Sequence, residues 1–224
     1  MELGSGDGKM LRTLHAARPT LDLHGCDIRA PRTETDCYRF HPLPLSSELD
    51  GSFDAVVIMD VLEHVRDPAA TLADAARLLK PGARLVAFVP VEGERLSAYT
   101  LFRKLLGDDV YVETKDHVQA FSHDRLASLL RSQFVVHERK YAYHVVGQSM
   151  DAGFFAAQRL GKLRELWRSE NSFYNPDKED ATGAAGVMNA LLRAGNAIAW
   201  AESLLLRDVQ FGSAGQLLVA VARS

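Results

Sequence analysis

Apolar positions along this chain fall into two kinds of run, and the two kinds alternate. Residues 52–59 (SFDAVVIM) and 83–90 (ARLVAFVP) are short, nearly continuous apolar blocks rich in β-branched side chains. That pattern predicts buried strands of a parallel sheet. Around them apolar residues recur at helical spacing: Met10, Leu11 and Leu14, then Ala69, Leu72, Ala76 and Leu79. The first helix opens after a glycine-rich loop and stops at Pro19; the second opens with Asp67 as cap and Pro68 as first residue. The sequence KPG at 80–82 predicts that helix's end. Residues 21–26 (LDLHGC) read as a strand closing at Asp27, and 37–43 (CYRFHPL) as an edge strand, because Pro42 and Pro44 disfavour a central position. Residues 122–130 predict a helix capped by Ser122, and 134–146 a strand. Strands alternating with helices predict an α/β fold: an open, doubly wound, mostly parallel sheet.

The remainder reads differently. Residues 154–168 (FFAAQRLGKLRELWR) are amphipathic and basic, 172–186 read as a loop, and 187–206 as a long helix with Val187, Leu191, Ala194, Ile198, Ala201 and Leu205 on one stripe. Residues 215–224 close the chain as a strand. This gives three segments: a core over 1–146, a helical lid or cap over 147–214, and the core's last strand at 215–224.

Composition narrows the class. The 224 residues are 47% hydrophobic and 25% charged with a net charge of −3, ordinary for a soluble protein and unlike a nucleic-acid binder with clustered Lys and Arg. Two cysteines, Cys26 and Cys37, are too few for a disulfide framework or a four-ligand zinc site, and Cys26 falls in an apolar run as a packed residue does. The N-terminus lacks the regions of a signal peptide, and the longest apolar stretch is interrupted by Asn196 and Glu202, so a cytoplasmic location is expected.

The chemistry concentrates in ELGSGDG, residues 2–8. Glycines at 4, 6 and 8 let a loop turn tightly and bring a ligand against its backbone, and the following helix points N–H groups at that ligand. The spacing is G-x-G-x-G rather than the dinucleotide G-x-G-x-x-G, and Asp7 would repel a pyrophosphate. A ligand with an amino-acid moiety suits the loop better: its carboxylate can take backbone N–H groups and its ammonium Glu2. Asp27, closing the second strand, can accept both hydroxyls of a ribose. A tight turn and a strand-end acid can also be purely structural; together in one βαβ unit they favour a ligand.

ELGSGDG, then CD at 26–27, GSFDAVVIMDVLEHVRDP at 51–68 and LLKPGARLVAFVP at 78–90 resemble the class I S-adenosylmethionine-dependent methyltransferases, in particular the small-molecule group that includes quinone-biosynthesis enzymes. The resemblance covers roughly residues 1–90, with an echo at 116–130. It implies a Rossmann-like seven-stranded sheet whose last strand is antiparallel, with a helical insertion before it. It implies S-adenosylmethionine as cofactor: Glu2, Gly4, Ser5, Gly6 and Gly8 at its methionine end, Asp27 and Ile28 at its ribose, Asp60 and Val61 beside it where substrate enters.

Three departures accompany the resemblance. The first strand is reduced to Met1–Leu3, which predicts a segment upstream of this sequence. Only 26 residues separate Asp27 from Asp54, which predicts that the helix usual after the ribose acid is short or missing. Arg39, Phe40 and His41 stand where an acid would meet the adenine amine, leaving the adenine contacts to Leu43 or a backbone group.

For transfer to an alcohol or phenol, His117 and His64 are the candidate general bases, since histidine titrates near neutrality. His117 lies in a polar loop past the fifth strand; His64 sits where strand passes to helix and can equally cap or pack. Asp60, Glu63 and His64 lie within five residues, a cluster too common by chance to predict a metal site. The insertion is read as helices packed on each other and on the sheet. A lid bearing Phe154, Phe155, Trp167 and Trp200 suits a large apolar acceptor such as a lipid, quinone or polyketide, and a membrane-surface role for 154–168 is the less favoured variant. Two other functions compete: a non-catalytic methyltransferase-like binding module, and an NAD-dependent oxidoreductase that the glycine spacing argues against.

Overall fold

The computed structural model describes residues 1–32, 36–95, 97–107, 117–150, 153 and 184–223. In chain order it holds β1 (Glu2–Leu3), α1 (Lys9–Ala17), β2 (His24–Asp27), β3 (Arg39–Pro42), β4 (Phe53–Met59), α2 (Pro68–Leu78), β5 (Leu79–Pro90), α3 (Ala98–Leu106), α4 (His123–Arg131), β6 (Phe134–Ala142), α5 (Ala184–Leu205) and β7 (Gly215–Ala222). Two compact units divide the chain. The first is Met1–Pro90, Val118–Arg139 and Gln216–Ser224; the second is Val91–His117 and Lys140–Gly215.

The seven strands form one sheet in the order β3-β2-β1-β4-β5-β7-β6. Strands β3, β2, β1, β4 and β5 pair in parallel. The last strand runs the other way. Arg223, just past β7, donates its N–H to Gln133, just before β6; Val91, just past β5, donates to Ala214, just before β7. Each bond joins the end of one strand to the start of its neighbour, so β7 is antiparallel to both, as expected. The strand order reverses between β1 and β4, and open α/β sheets bind ligands at the carboxyl ends of the strands flanking such a point.

β1 is only two residues long, yet it is central and paired on both sides. Glu2 registers with Gly25 and Val57, and Leu3 with Cys26 and Ile58. The buried apolar blocks supply the core: Val56, Ile58, Leu85, Ala87 and Val89 have no exposed surface, and Leu72, Leu78, Leu126 and Leu130 from α2 and α4 close over the sheet. Each such side chain contributes roughly 1.5–3 kcal/mol by leaving water. Asp67 accepts a hydrogen bond from the Ala70 N–H and caps α2, with Pro68 at its first position; Ser122 accepts from the Arg125 N–H and caps α4.

Four elements depart from the expected pattern. β2 begins at His24, and Leu21 is exposed. The KPG sequence stops no helix within itself: α2 ends at Leu78 and β5 begins at Leu79. Phe53 pairs with Leu79 but Ala55 with Arg84, so residues 80–83 form a bulge in β5, the place where a sheet tolerates proline. Gly82 takes the left-handed φ of 77° that this bend needs. β6 ends at Ala142 rather than 146, because the Glu202 carboxylate accepts the Val146 and Gly147 N–H groups and caps a helical segment at 145–150. α3 had no counterpart in the pattern reading; Ser97 caps it by accepting the Thr100 N–H.

Candidate functional site

In the first unit the polypeptide leaves β1 through three glycines in the left-handed region: Gly4 at φ 76°, Gly6 at 52° and Gly8 at 74°. Two of them are also forced by space. A Cβ on Gly4 would collide with the Val61 side chain, and one on Gly8 with the Tyr38 hydroxyl. Val61 therefore meets the loop directly.

Four of the loop's backbone donors are committed within the protein. Gly4 and Ser5 both give their N–H to the Cys26 carbonyl at 2.9 Å, Gly8 gives its N–H to Ser5 at 2.8 Å, and Gly6 gives its N–H to Asp27 Oδ2 at 2.8 Å. The expectation that these backbone groups receive a ligand carboxylate is thereby corrected. The donors left for an anion are those of the first turn of α1, which a helix cannot satisfy internally. Asp27 closes β2 as predicted; its carboxylate ties the glycine loop to its own strand end, also accepting from the Arg29 N–H at 3.2 Å. Asp7 accepts from the Arg32 N–H at 3.3 Å, a second brace between the two loops. Among the described residues from 28 to 38 none is helical, in keeping with the expected loss of that helix. Ile28 projects into solvent.

Three polar atoms around this loop are buried without a hydrogen-bond partner: Glu2 Oε2, Ser5 Oγ and Tyr38 Oη. Buried polar groups are nearly always paired, so three orphans around one loop mark a ligand-binding floor. Burial pushes the Glu2 carboxyl up to about 7, against the pull of the Met1 ammonium and with the push of Asp27. Burial also pushes the Cys26 thiol up to about 11, so Cys26 is a packed and unreactive residue. These residues fit S-adenosylmethionine: an acceptor for an ammonium, helix N–H groups for a carboxylate, and a strand-end acid for a ribose.

Asp60 follows β4 with φ 52°, an uncommon conformation that a short acidic side chain tolerates, and its N–H bonds Phe88 at 3.1 Å across to β5. His64 lies in the turn after β4, half exposed, with its N–H on the Val61 carbonyl and its ring 3.9 Å from Glu63. Gln119 had escaped the pattern reading. Its N–H bonds the Glu63 carbonyl and its side chain the Val65 carbonyl, so it staples the turn that carries His64. Arg39 and His41, which replace the adenine acid, are engaged with Asp22 and His24.

In the second unit His117 Nδ1 stands 2.8 Å from Glu92 Oε2, with both side chains almost wholly buried. Glu92 follows β5 by two residues. A carboxylate on Nδ1 fixes the ring's orientation and tautomer and stabilises the imidazolium. The pairing is long-range, and only the position of Glu92 just past a strand hinted at it. Phe154, Phe155 and Trp167 of the expected lid, and the basic helix 154–168, lie outside the described residues. Trp200 is on α5 and is exposed. Among the described residues no helix is long and apolar enough to cross a membrane.

The profile of a methyltransferase-domain family matches residues 1–138. An uncharacterised 37.1 kDa protein in transposon TN4556 of Streptomyces fradiae is 38% identical over 100 residues, covering 38% of this chain and 28% of that protein. A ubiquinone biosynthesis O-methyltransferase of Xanthomonas oryzae is 58% identical over 41 residues, 18% of this chain and 17% of the enzyme. The chain thus spans under a third of the length of these relatives. Geranyl diphosphate methyltransferase in complex with S-adenosylmethionine superposes with a TM-score of 0.54 at 12% identity, over 99% of this chain and 77% of that one, a likeness of fold alone.

Proposed function

Because this chain belongs to the methyltransferase-domain family, of the S-adenosylmethionine-dependent class I fold, we propose that it methylates a hydroxyl group on a small apolar acceptor. The observation that carries the cofactor half is the glycine loop, whose three buried polar atoms lack partners within the protein. When bound, the cofactor supplies an electrophilic methyl group and a neutral thioether leaving group.

The protein's own residues bind, orient and move a proton. Glu2 takes the ammonium of the ligand, the first turn of α1 its carboxylate, and Asp27 its ribose hydroxyls. To reach the ribose, Asp27 exchanges one of its two backbone donors for a sugar hydroxyl. Val61, against Gly4, limits the depth to which the ligand enters. His117 accepts the acceptor's proton at Nε2, its Nδ1 being committed to Glu92, and Glu92 stabilises the charge that results. General-base help of this kind is worth about 10²–10⁴-fold, and alignment of nucleophile and methyl adds several kcal/mol. The short stretch of 58% identity to a ubiquinone biosynthesis O-methyltransferase supports oxygen as the acceptor atom.

Calorimetric titration of the full-length protein with S-adenosylmethionine and with its demethylated product tests the cofactor half. A panel of phenolic and aliphatic acceptors, followed by mass spectrometry for a gain of one methyl, tests the rest. Absence of heat with both ligands would overturn the reading. Binding without transfer to any acceptor would favour a binding module.

A further inference from the structure

Tyr38 directly precedes β3. Its ring runs beneath the glycine loop and brings the phenol oxygen against Gly8, the residue that caps α1. The side chain is 6% exposed, and its hydroxyl is buried without a partner. Burial raises the phenol's pKa, with Arg12 opposing and Asp7 and Glu2 adding to it, so the oxygen stays protonated and senses the charges of this loop. A phenol that only filled space would leave its oxygen bonded or exposed. This one is held at a helix N-terminus with its O–H unused.

Resting on the cofactor reading above, we propose that Tyr38 positions the amino-acid end of the cofactor. Its O–H donates to the ligand's carboxylate at the N-terminus of α1, while Glu2 holds the ammonium. Ser5 Oγ, also buried and unpartnered beside Gly25, is the third group that the same zwitterion satisfies. Gly8 is obligatory in this arrangement for two reasons, its φ of 74° and the phenol that occupies the place of its Cβ. The adenosine half plays no part in it.

The test compares wild type with Tyr38→Phe on two ligands, S-adenosylmethionine and 5′-methylthioadenosine, which has the sulfur and the nucleoside but no amino-acid arm. Phenylalanine keeps the ring under the loop and removes only the oxygen. The expected result is binding of S-adenosylmethionine weakened about three- to tenfold, the worth of one hydrogen bond, with methylthioadenosine unchanged. The melting temperature of ligand-free Tyr38→Phe should equal or exceed wild type, since an unsatisfied buried hydroxyl stabilises nothing. Equal weakening of both ligands, or a lower melting temperature with unchanged affinities, would overturn the proposal and leave Tyr38 a packing residue. Failure of wild type to bind either ligand would instead remove the cofactor reading itself.

Discussion

The two compact units are held together by different physics. The first has a dry core in which Val56, Ile58, Leu62, Leu85 and Val89 are fully buried and the sheet supplies the backbone bonds. The described part of the second relies on polar side chains reaching across long stretches of chain. Gln148 accepts from the Ala98 N–H at 2.6 Å and donates to the Tyr143 and Gly212 carbonyls at 2.7 Å each, and Glu202 caps the segment at 145. Lys140 meets Asp208 at 2.7 Å. Meanwhile Ile198, Trp200, Leu205 and Phe211 stand exposed. A hydrophobic pattern specifies the first kind of unit. The second is specified by a few hydrogen bonds, each of which matters singly.

The proposed function extends the comparison to chemistry, assigning cofactor grip to residues of the first unit and proton transfer to His117 of the second, and the largest expected effect tests that assignment. His117→Ala should lower methyl transfer by about 10²–10⁴-fold while leaving the dissociation constant for S-adenosylmethionine within about twofold of wild type. Glu92→Gln should cost less, about tenfold, because a neutral amide holds the ring's orientation and tautomer less firmly. Steady-state rates against pH, beside calorimetry, measure both. A parallel loss of cofactor affinity would collapse the division of labour.

Next in size is Gly8→Ala. The new methyl group meets the Tyr38 hydroxyl in a backbone region that alanine rarely adopts. Strain and overpacking together should cost about 2–4 kcal/mol and cofactor binding with it, read by thermal melts with and without ligand. Gln148→Leu should cost about 2–3 kcal/mol, as three part-buried backbone groups each lose a hydrogen bond at once. Hydrogen exchange should rise in the second unit and stay unchanged in β4 and β5; exchange that rose evenly would show the units to be one cooperative body.

The same contrast explains what the sequence disclosed. The strands, the helices and the glycine loop follow from short-range signals: apolar blocks, caps at Asp67 and Ser122, a strand ending at Asp27. The misreadings fall where a distant residue decides. Nothing within 134–146 says that β6 stops at Ala142, because the cap is Glu202, some 55 residues later. His117 is likewise held by a residue 25 positions away, Glu92, with only its place just past β5 as a hint. KPG was misread because a bulge and a helix stop use the same residues, and only the pairing of Phe53 with Leu79 tells them apart. Tyr38 gave no signal at all, since one aromatic residue before an edge strand is ordinary. The unused donors and acceptors of the loop became visible only when its committed ones could be counted.

The smallest effect is a pH dependence that reports on the first unit alone. Burial raises the Glu2 carboxyl in the folded protein from an ordinary 4.5 to about 7. Between those values the folded state holds a proton that the unfolded state has released. Glu2 therefore adds stability below pH 4.5 that fades as pH rises to about 7 and is gone above it. Cofactor affinity runs the opposite way: an ammonium is attracted only to ionised Glu2, so binding should tighten as pH rises through 7, with a proton released on association. His24 and His41 impose an opposing trend on stability. Their rings stack 5.0 Å apart with nitrogens 2.8 Å from each other, and burial lowers both, His41 further through the charge of His24. Groups held neutral contribute stability above pH 6.5 that is lost as pH falls below it, and exchange of the β3 amides should then rise. Glu2→Gln separates the two: it should flatten the affinity profile near pH 7 and leave the loss of β3 protection in acid unchanged. If the affinity profile of Glu2→Gln kept its slope, the titrating group would lie elsewhere than at the start of the glycine loop.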